Sequence, residues 1–354
     1  MTWQMIFEPA RILSILLYVI SPLAVRSQST PTVDLPADPV AFMSLAQERN
    51  GLDSADVKPW HIRGAYTFFD KDGKPEDEGT YEEWWVSSNK YKRSFSSAKV
   101  KQIEYATGAG LFREGTQDWL SGNEMLLRSN LIEPLPDTEF LKEFKPERDT
   151  QSIGKGTFDC VTLRYSLRMN PTVPKNFFPT FCFESSLPLL RLNSPGSGIR
   201  TSYSQIVSFQ GHYLAREMHT YLLGKPKIDL TLDVIEGMKE SPASVVALSP
   251  SALPVDSSRV PLGTDEVGYW PIMMKWDSSR LPQVSKDYRI HGTVVMRFTI
   301  GKDGHVANVK VISGPPALQQ FAVDAAEQRV YRPVRIMGEP TTVEMETKAI
   351  FGPG

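Results

Sequence analysis

From Ile290 to Phe351 the chain spells out a hairpin, a helix and a last strand, an order that leaves few folds open to this end. Gly292 to Ile300 alternates, with Val294, Met296, Phe298 and Ile300 on one face and Thr293, Arg297 and Thr299 on the other. That period of two marks a half-buried strand. Gly301-Lys-Asp-Gly304 supplies positive-φ positions for a short turn, and His305 to Ile312 reads as the returning strand. Pro315-Pro316 opens a helix over Ala317 to Arg329, whose apolar stripe is Leu318, Phe321, Ala322, Ala325 and Ala326. In the last strand, Thr342 to Phe351, the residues Val343, Met345, Thr347, Ala349 and Phe351 alternate with Glu344, Glu346 and Lys348.

Five pieces of this stretch, taken in order, resemble the C-terminal domain of TonB, the energy-transducing protein of Gram-negative envelopes. They are Gly292-Thr-Val-Val295, Ile300-Gly-Lys-Asp-Gly-His-Val306, Val311-Ile-Ser-Gly314, Val330-Tyr-Arg-Pro333 and Gly338-Glu-Pro340. One departure is that Leu281 to Arg289 stands where that family carries a Tyr-Pro pair and a short helix. The resemblance implies a small α+β domain that recruits an extended segment of an outer-membrane receptor as an added strand. The edge it points to is Thr342, Val343, Glu344, Met345, Glu346, Thr347, Lys348, Ala349, Ile350 and Phe351. The charges of Glu344, Glu346 and Lys348 equally suit an edge protected against aggregation.

With 354 residues the chain has room for two domains. Its 39 basic and 41 acidic side chains nearly balance, which argues against a nucleic-acid partner. At the N-terminus, Arg11 precedes the apolar run Ile12 to Ile20, then Pro22 and small residues follow up to Ser29. We read residues 1–29 as a signal peptide, placing the mature protein in the periplasm. The alternative is an uncleaved inner-membrane anchor, for which the run is shorter than the roughly 20 residues a spanning helix prefers. Cys160 and Cys182 are the two cysteines, and in an exported chain their natural state is one disulfide. Two buried thiols or half of a metal site are the alternatives.

Between Asp38 and Lys239 the pattern is an opening helix, Ala41 to Arg49, followed by short strands. Trp60, Ile62, Tyr66 and Phe68 alternate, Asp70 to Gly79 reads as a turn region, and Tyr81 and Trp85 continue on the next strand. Further candidate strands are Tyr91–Phe95, Lys101–Tyr105, Asp118–Leu120, Ser202–Phe209, Tyr213–Tyr221 and Lys227–Val234. Such repetition predicts an antiparallel meander forming a curved sheet or half-barrel. In pattern it is similar to the LolA and LolB lipoprotein-carrier class, a resemblance that implies an apolar ligand and carries over no residue. Trp60, Tyr66, Phe68, Tyr81, Trp84, Trp85 and Trp119 suit either a plain β core or the lining of an apolar pocket.

Glu240 to Gly263, with Pro242, Pro250, Pro254 and Pro261, reads as an extended linker, after which the C-terminal domain begins at Thr264. Within Val267 to Trp276 an additional strand is expected. No nucleophile elbow, phosphate loop or zinc-helix motif is present, and the five histidines are scattered. His212 and His219 read as surface residues, and Glu82-Glu83 and Glu76-Asp77-Glu78 as solvated charges beside turns. The expectation is therefore a two-domain α+β binding protein with no cofactor, no metal and no catalytic residue. Its role would be an adaptor of the TonB type for outer-membrane receptors, or alternatively a carrier of a lipid or other apolar ligand.

Overall fold

The computed structural model describes residues 35–54, 56–120, 122–136, 141–142, 144–165, 178–196, 198–238, 242–257, 259–264, 273–276, 291–331 and 333–351. The expected signal segment and Leu281 to Arg289 lie outside the described residues. Leu35–Gly354 clusters as one compact unit, and its described residues hold two hydrophobic cores.

The first core belongs to a large antiparallel sheet. One meander runs through β1 (Trp60–Phe69), β2 (Pro75–Ser87), β3 (Lys90–Ser97), β4 (Lys101–Thr107) and β5 (Gly110–Gly115). The second runs through β6 (Phe144–Ile153), β7 (Gly156–Tyr165), β8 (Thr180–Phe183), β9 (Leu190–Gly196), β10 (Ile199–Phe209), β11 (His212–Leu222) and β12 (Lys225–Gly237). Pairing of β12 with β1 joins them, and β13 (Leu253–Pro254) adds to β5. The resulting 13-stranded sheet runs β13-β5-β4-β3-β2-β1-β12-β11-β10-β9-β8-β7-β6, curved and unclosed. Alternation set this arrangement: along β1 every second residue from Trp60 to Phe68 faces inward, and all but Gly64 are large and apolar. Trp60 stacks on Trp85 at 5.7 Å, and Tyr66, Phe68 and Tyr81 are buried with them.

Two helices fill the inner face. In α1 (Pro39–Arg49) the Asp38 side chain accepts the Ala41 N–H at 2.8 Å and proline occupies the first turn, a capped start. Its buried side is Phe42, Met43 and Ala46, and Phe42 meets Phe183 edge-on at 5.0 Å. The second helix, α2 (Gly122–Ile132), was not foreseen from the sequence. Asn130 of α2 donates to Thr201 Oγ1 at 2.9 Å, and Tyr203 Oη donates to the Asn130 carbonyl at 3.1 Å. Gly51 fits only because it lacks a side chain: a β-carbon there would lie 2.3 Å from the Ile132 carbonyl oxygen, and its φ is +91°.

Cys160 and Cys182 face each other across β7 and β8 and form the expected disulfide, with their Cα atoms 4.0 Å apart.

The second core lies under the C-terminal sheet. Its strands are β14 (Arg259–Thr264), β16 (Gly292–Ile300), β17 (Val306–Ser313), β19 (Val334–Ile336) and β20 (Glu339–Phe351). The order is β14-β20-β16-β17, with β19 pairing the start of β20. A separate pair joins β15 (Met273–Trp276) to β18 (Arg329–Tyr331), so part of the additional strand expected in Val267 to Trp276 is present. Helix α3 (Pro316–Glu327) covers β16 and β17, burying Leu318, Ala322 and Ala326 against Val294, Met296 and Phe298.

Several expectations are corrected. The segment read as a free linker is bound at both ends: β13 pairs with Phe112 and Arg113, Val246 is buried, and Val260 sits fully buried in the second core. Proline content suggested an extended tether, but short edge pairings tolerate proline where no ladder donor is needed. The C-terminal sheet takes in β14 from Arg259. Asp118–Leu120 is not a strand; it leads into α2. Glu76-Asp77-Glu78 and Glu82-Glu83 lie inside β2, because the turn is confined to Asp70–Lys74, where Asp70 Oδ1 accepts the Asp72 and Lys74 N–H groups. His212 is buried rather than at the surface, with its Nε2 3.3 Å from Asp56.

Candidate functional site

The predicted docking edge is only partly an edge. Thr342, Val343, Glu344 and Glu346 are covered by a parallel pairing with Arg259, Val260, Pro261 and Thr264 of β14. On its other side β20 pairs with β16 from Val343 to Phe351. The remaining stretch, Thr347, Lys348, Ala349, Ile350 and Phe351, has no strand on its outer side among the described residues. Val343 and Met345 point into the second core, whereas Ile350 is 80% exposed. Glu346 receives Arg297 from the neighbouring strand at 2.9 Å.

A second candidate lies where the two sheets meet. On the inner face of β2 to β5, directly paired positions carry Glu83, Arg93, Glu104 and Arg113, a row of alternating charge across four strands. Glu83, fully buried, is gripped by two guanidinium groups: Arg93 at 3.1 and 3.2 Å and Arg128 of α2 at 3.2 Å through both nitrogens. Tyr81 Oη donates to the same carboxylate. Arg93 reaches on to Glu104 at 3.3 Å, and Arg113 holds Glu104 at 2.8 and 3.0 Å. Tyr91 Oη donates to Glu104 at 3.0 Å, and the Arg113 guanidinium lies 4.0 Å from the Trp119 ring centroid. Charge-assisted, partly bidentate pairing of this kind is what lets ions remain in a protein interior.

The electrostatics follow from this packing. Burial pushes the Glu83 carboxyl up, but the Arg128 and Arg93 charges and the Tyr81 hydroxyl outweigh it and hold Glu83 at about 2. Burial and the adjacent Glu83 charge raise Tyr81 well above the ordinary phenol range. Asp53, at the rim, is pushed up to about 6, first by burial and then by the neighbouring Glu133 carboxylate.

Above the ionic row is a cavity of about 150 Å³. The large sheet and α2 contribute Arg93, Glu104, Arg113, Trp119, Leu120, Met125 and Arg128, and Asp53 and Glu133 lie at its border. The C-terminal domain contributes Val334, Arg335, Ile336, Met337 and Gly338. Of the aromatic residues weighed from the sequence, Trp60, Tyr66, Phe68, Tyr81 and Trp85 are core, and Trp119 lines this cavity. Trp84 is on the opposite face, stacked on His61 at 4.8 Å. The ionic row escaped the sequence reading, although its signal is there: Tyr81-x-Glu83-x-Trp85 and Tyr91-x-Arg93-x-Phe95 put a charge in phase with inward aromatics. Among the described residues, no cluster of His, Cys, Asp and Glu is arranged to hold a metal ion. No helix among them is long and apolar enough to cross a membrane.

Residues 278–353 match the family of the Gram-negative bacterial TonB protein C-terminal domain. The match covers a minor part of the chain and leaves β14 outside it. No curated protein matches the chain. Among solved structures, a LolA superfamily protein from Nitrosomonas europaea is 11% identical, with 60% of this chain and 99% of that one covered at a TM-score of 0.38. A DUF1329 family protein from Desulfovibrio piger is 12% identical, with 58% and 96% covered at a TM-score of 0.38.

Proposed function

We propose that the protein is an exported envelope adaptor whose C-terminal domain docks an extended segment of an outer-membrane receptor by strand addition, in support of TonB-dependent transport. The observation that carries this reading is the outer side of Thr347–Phe351, free of a partner strand among the described residues and continuous with the line of β14. A peptide laid there would extend an existing pairing, with its backbone supplying affinity and the exposed Ile350 and Lys348 side chains flanking it. Binding, and not catalysis, is the role assigned. The protein would act from the periplasm after removal of residues 1–29.

The test is titration of the full chain with peptides from outer-membrane receptors, followed by amide shifts in NMR spectra. Successive N–H groups of a strand point to opposite edges, so one of Thr347→Pro and Lys348→Pro removes an outward donor. That variant should weaken binding several-fold while Glu346→Gln leaves most of it intact. Shifts clustered on α3, with both proline variants binding normally, would sink the edge reading. So would the absence of binding by any receptor peptide at millimolar concentration.

A second reading is favoured by the cavity: Trp119, Leu120 and Met125 beside a self-paired ionic row form an amphipathic wall. On that reading the large sheet carries a small ligand with an apolar part, and the C-terminal domain serves for docking.

A further inference from the structure

The roof of the cavity is a single hairpin of the C-terminal domain. Ile336 pairs with Glu339, so the loop between β19 and β20 is just Met337 and Gly338, with φ values of +54° and +82°. Two successive left-handed residues make the tight turn whose twist suits a hairpin. Arg335 Nη1 donates to the Gly338 carbonyl at 2.9 Å and closes the turn on itself. This compact tip lies against Ser88 in the turn between β2 and β3: a β-carbon on Gly338 would fall 2.7 Å from Ser88 Oγ.

The way the tip is held differs from the way the rest of the cavity is built. Ile336 and Met337 pack on the first core while remaining only partly buried. No hydrogen bond or ion pair joins Val334–Thr341 to the large sheet or its helices among the described residues. Beneath it, Glu83, Arg93, Glu104, Arg113 and Arg128 satisfy one another without any group from the hairpin. Among the described residues, lifting the tip therefore breaks no polar interaction and leaves no buried charge unpaired, the two costs that would otherwise fix a lid in place. The pairings of β13 with β5 and of β14 with β20 would keep the two sheets tethered while it moved. At about 150 Å³ the cavity, which is partly open to solvent, is smaller than ligand pockets, which run from roughly 300 to 1,000 Å³. A ligand of ordinary size would gain room there by displacing the tip.

We infer that the tip of the Val334–Thr341 hairpin, Ile336 to Glu339, is a releasable stopper on the cavity, held over it by apolar contact and by the fit of Gly338 to Ser88. This rests on the reading of the cavity as a ligand site. It adds that the C-terminal domain controls access to it.

The experiment uses the full chain and the neutral apolar dye N-phenyl-1-naphthylamine, titrated by its fluorescence. Gly338→Val places a branched side chain against Ser88 in a strained backbone conformation and should tighten dye binding at least five-fold. Adding Ser88→Gly to that variant should restore part of the closed behaviour. Met337→Ser, which alters only a half-buried side chain, should also tighten binding and stands in if Gly338→Val fails to fold. Equal dye affinity in the parent and in folded Met337→Ser and Gly338→Val would overturn the stopper while leaving a ligand site in place. Dye binding by none of them would overturn both.

Discussion

Glu83 on β2 and Arg128 on α2 form a two-point ion pair, both nitrogen–oxygen distances being 3.2 Å, and it ties the inner helix to the floor of the cavity. Arg93 holds the same carboxylate from the opposite strand, so Glu83 is the hub of the row.

Replacing that hub should be costly. Glu83→Gln keeps the shape but leaves Arg93 and Arg128 buried against a neutral amide, so a loss of about 3–5 kcal/mol is expected. Chemical denaturation at pH 7 reads it directly; a loss below about 1 kcal/mol would mean that water reaches the row. The wild-type carboxyl titrates near 2 in the fold against 4.5 unfolded. Its contribution, about 3 kcal/mol, is therefore present above pH 4.5 and lost as pH falls through about 2. The Gln variant should lack this acid limb.

Asp53 has the opposite sign. Its pKa rises from 3.8 to about 6 on folding, so between those values the folded state binds more protons than the unfolded. The contribution is fully present below 3.8 and is lost as pH rises through about 6. Because Asp53 is exposed on its outer side, screening keeps the effect small. Asp53→Asn should flatten the stability profile between pH 4 and 6.5 and raise the midpoint of thermal unfolding at pH 7.5. An unchanged profile would show that neither burial nor Glu133 raises it on folding.

The disulfide should matter through the unfolded chain. Cys160 and Cys182 are 22 residues apart, a loop whose closure is worth about 3 kcal/mol in the chain-entropy account. Cys160→Ser with Cys182→Ser should lower stability by that order and leave the curved sheet's circular dichroism unchanged. Labelling of two free thiols in unreduced, denatured wild-type protein would contradict the bond itself.

What the sequence made legible follows from how each element is held. Gly292–Ile300 was readable in its bounds and its inward face, because Val294, Met296, Phe298 and Ile300 meet a core; Thr299 on the other face is nonetheless buried, its hydroxyl donating to the Ala307 carbonyl. The aromatic strands β1 to β3 were readable for the same reason. Glu83 and Arg93 were not, since a charge at an inward position looks like a surface residue until its cross-strand partner is known. Helix α2 was missed because Asn123, Ser129 and Asn130 blur its apolar stripe of Leu126, Leu127 and Leu131. Strand β14 was hidden by its own brevity and by Pro261, and it covers half of the edge that the alternation of Thr342 to Phe351 suggested.

The Pro-rich segment between the two sheets offers the last test. A free linker would be the first place a protease cuts, whereas here β13 is paired to β5, the Val255 N–H donates to the Leu111 carbonyl at 2.9 Å, and Val260 is fully buried. Limited proteolysis with elastase should therefore spare residues 246–264 until the C-terminal sheet itself opens. Val260→Ala removes part of a buried side chain and should cost about 1–3 kcal/mol. It should also make the segment cleavable at lower denaturant than in the wild type, because β14 leaves the sheet when its anchor is weakened. Rapid cleavage between 246 and 264 in the wild type, with both sheets intact by amide exchange, would restore the linker and remove β14 as a cover for Thr342–Glu346.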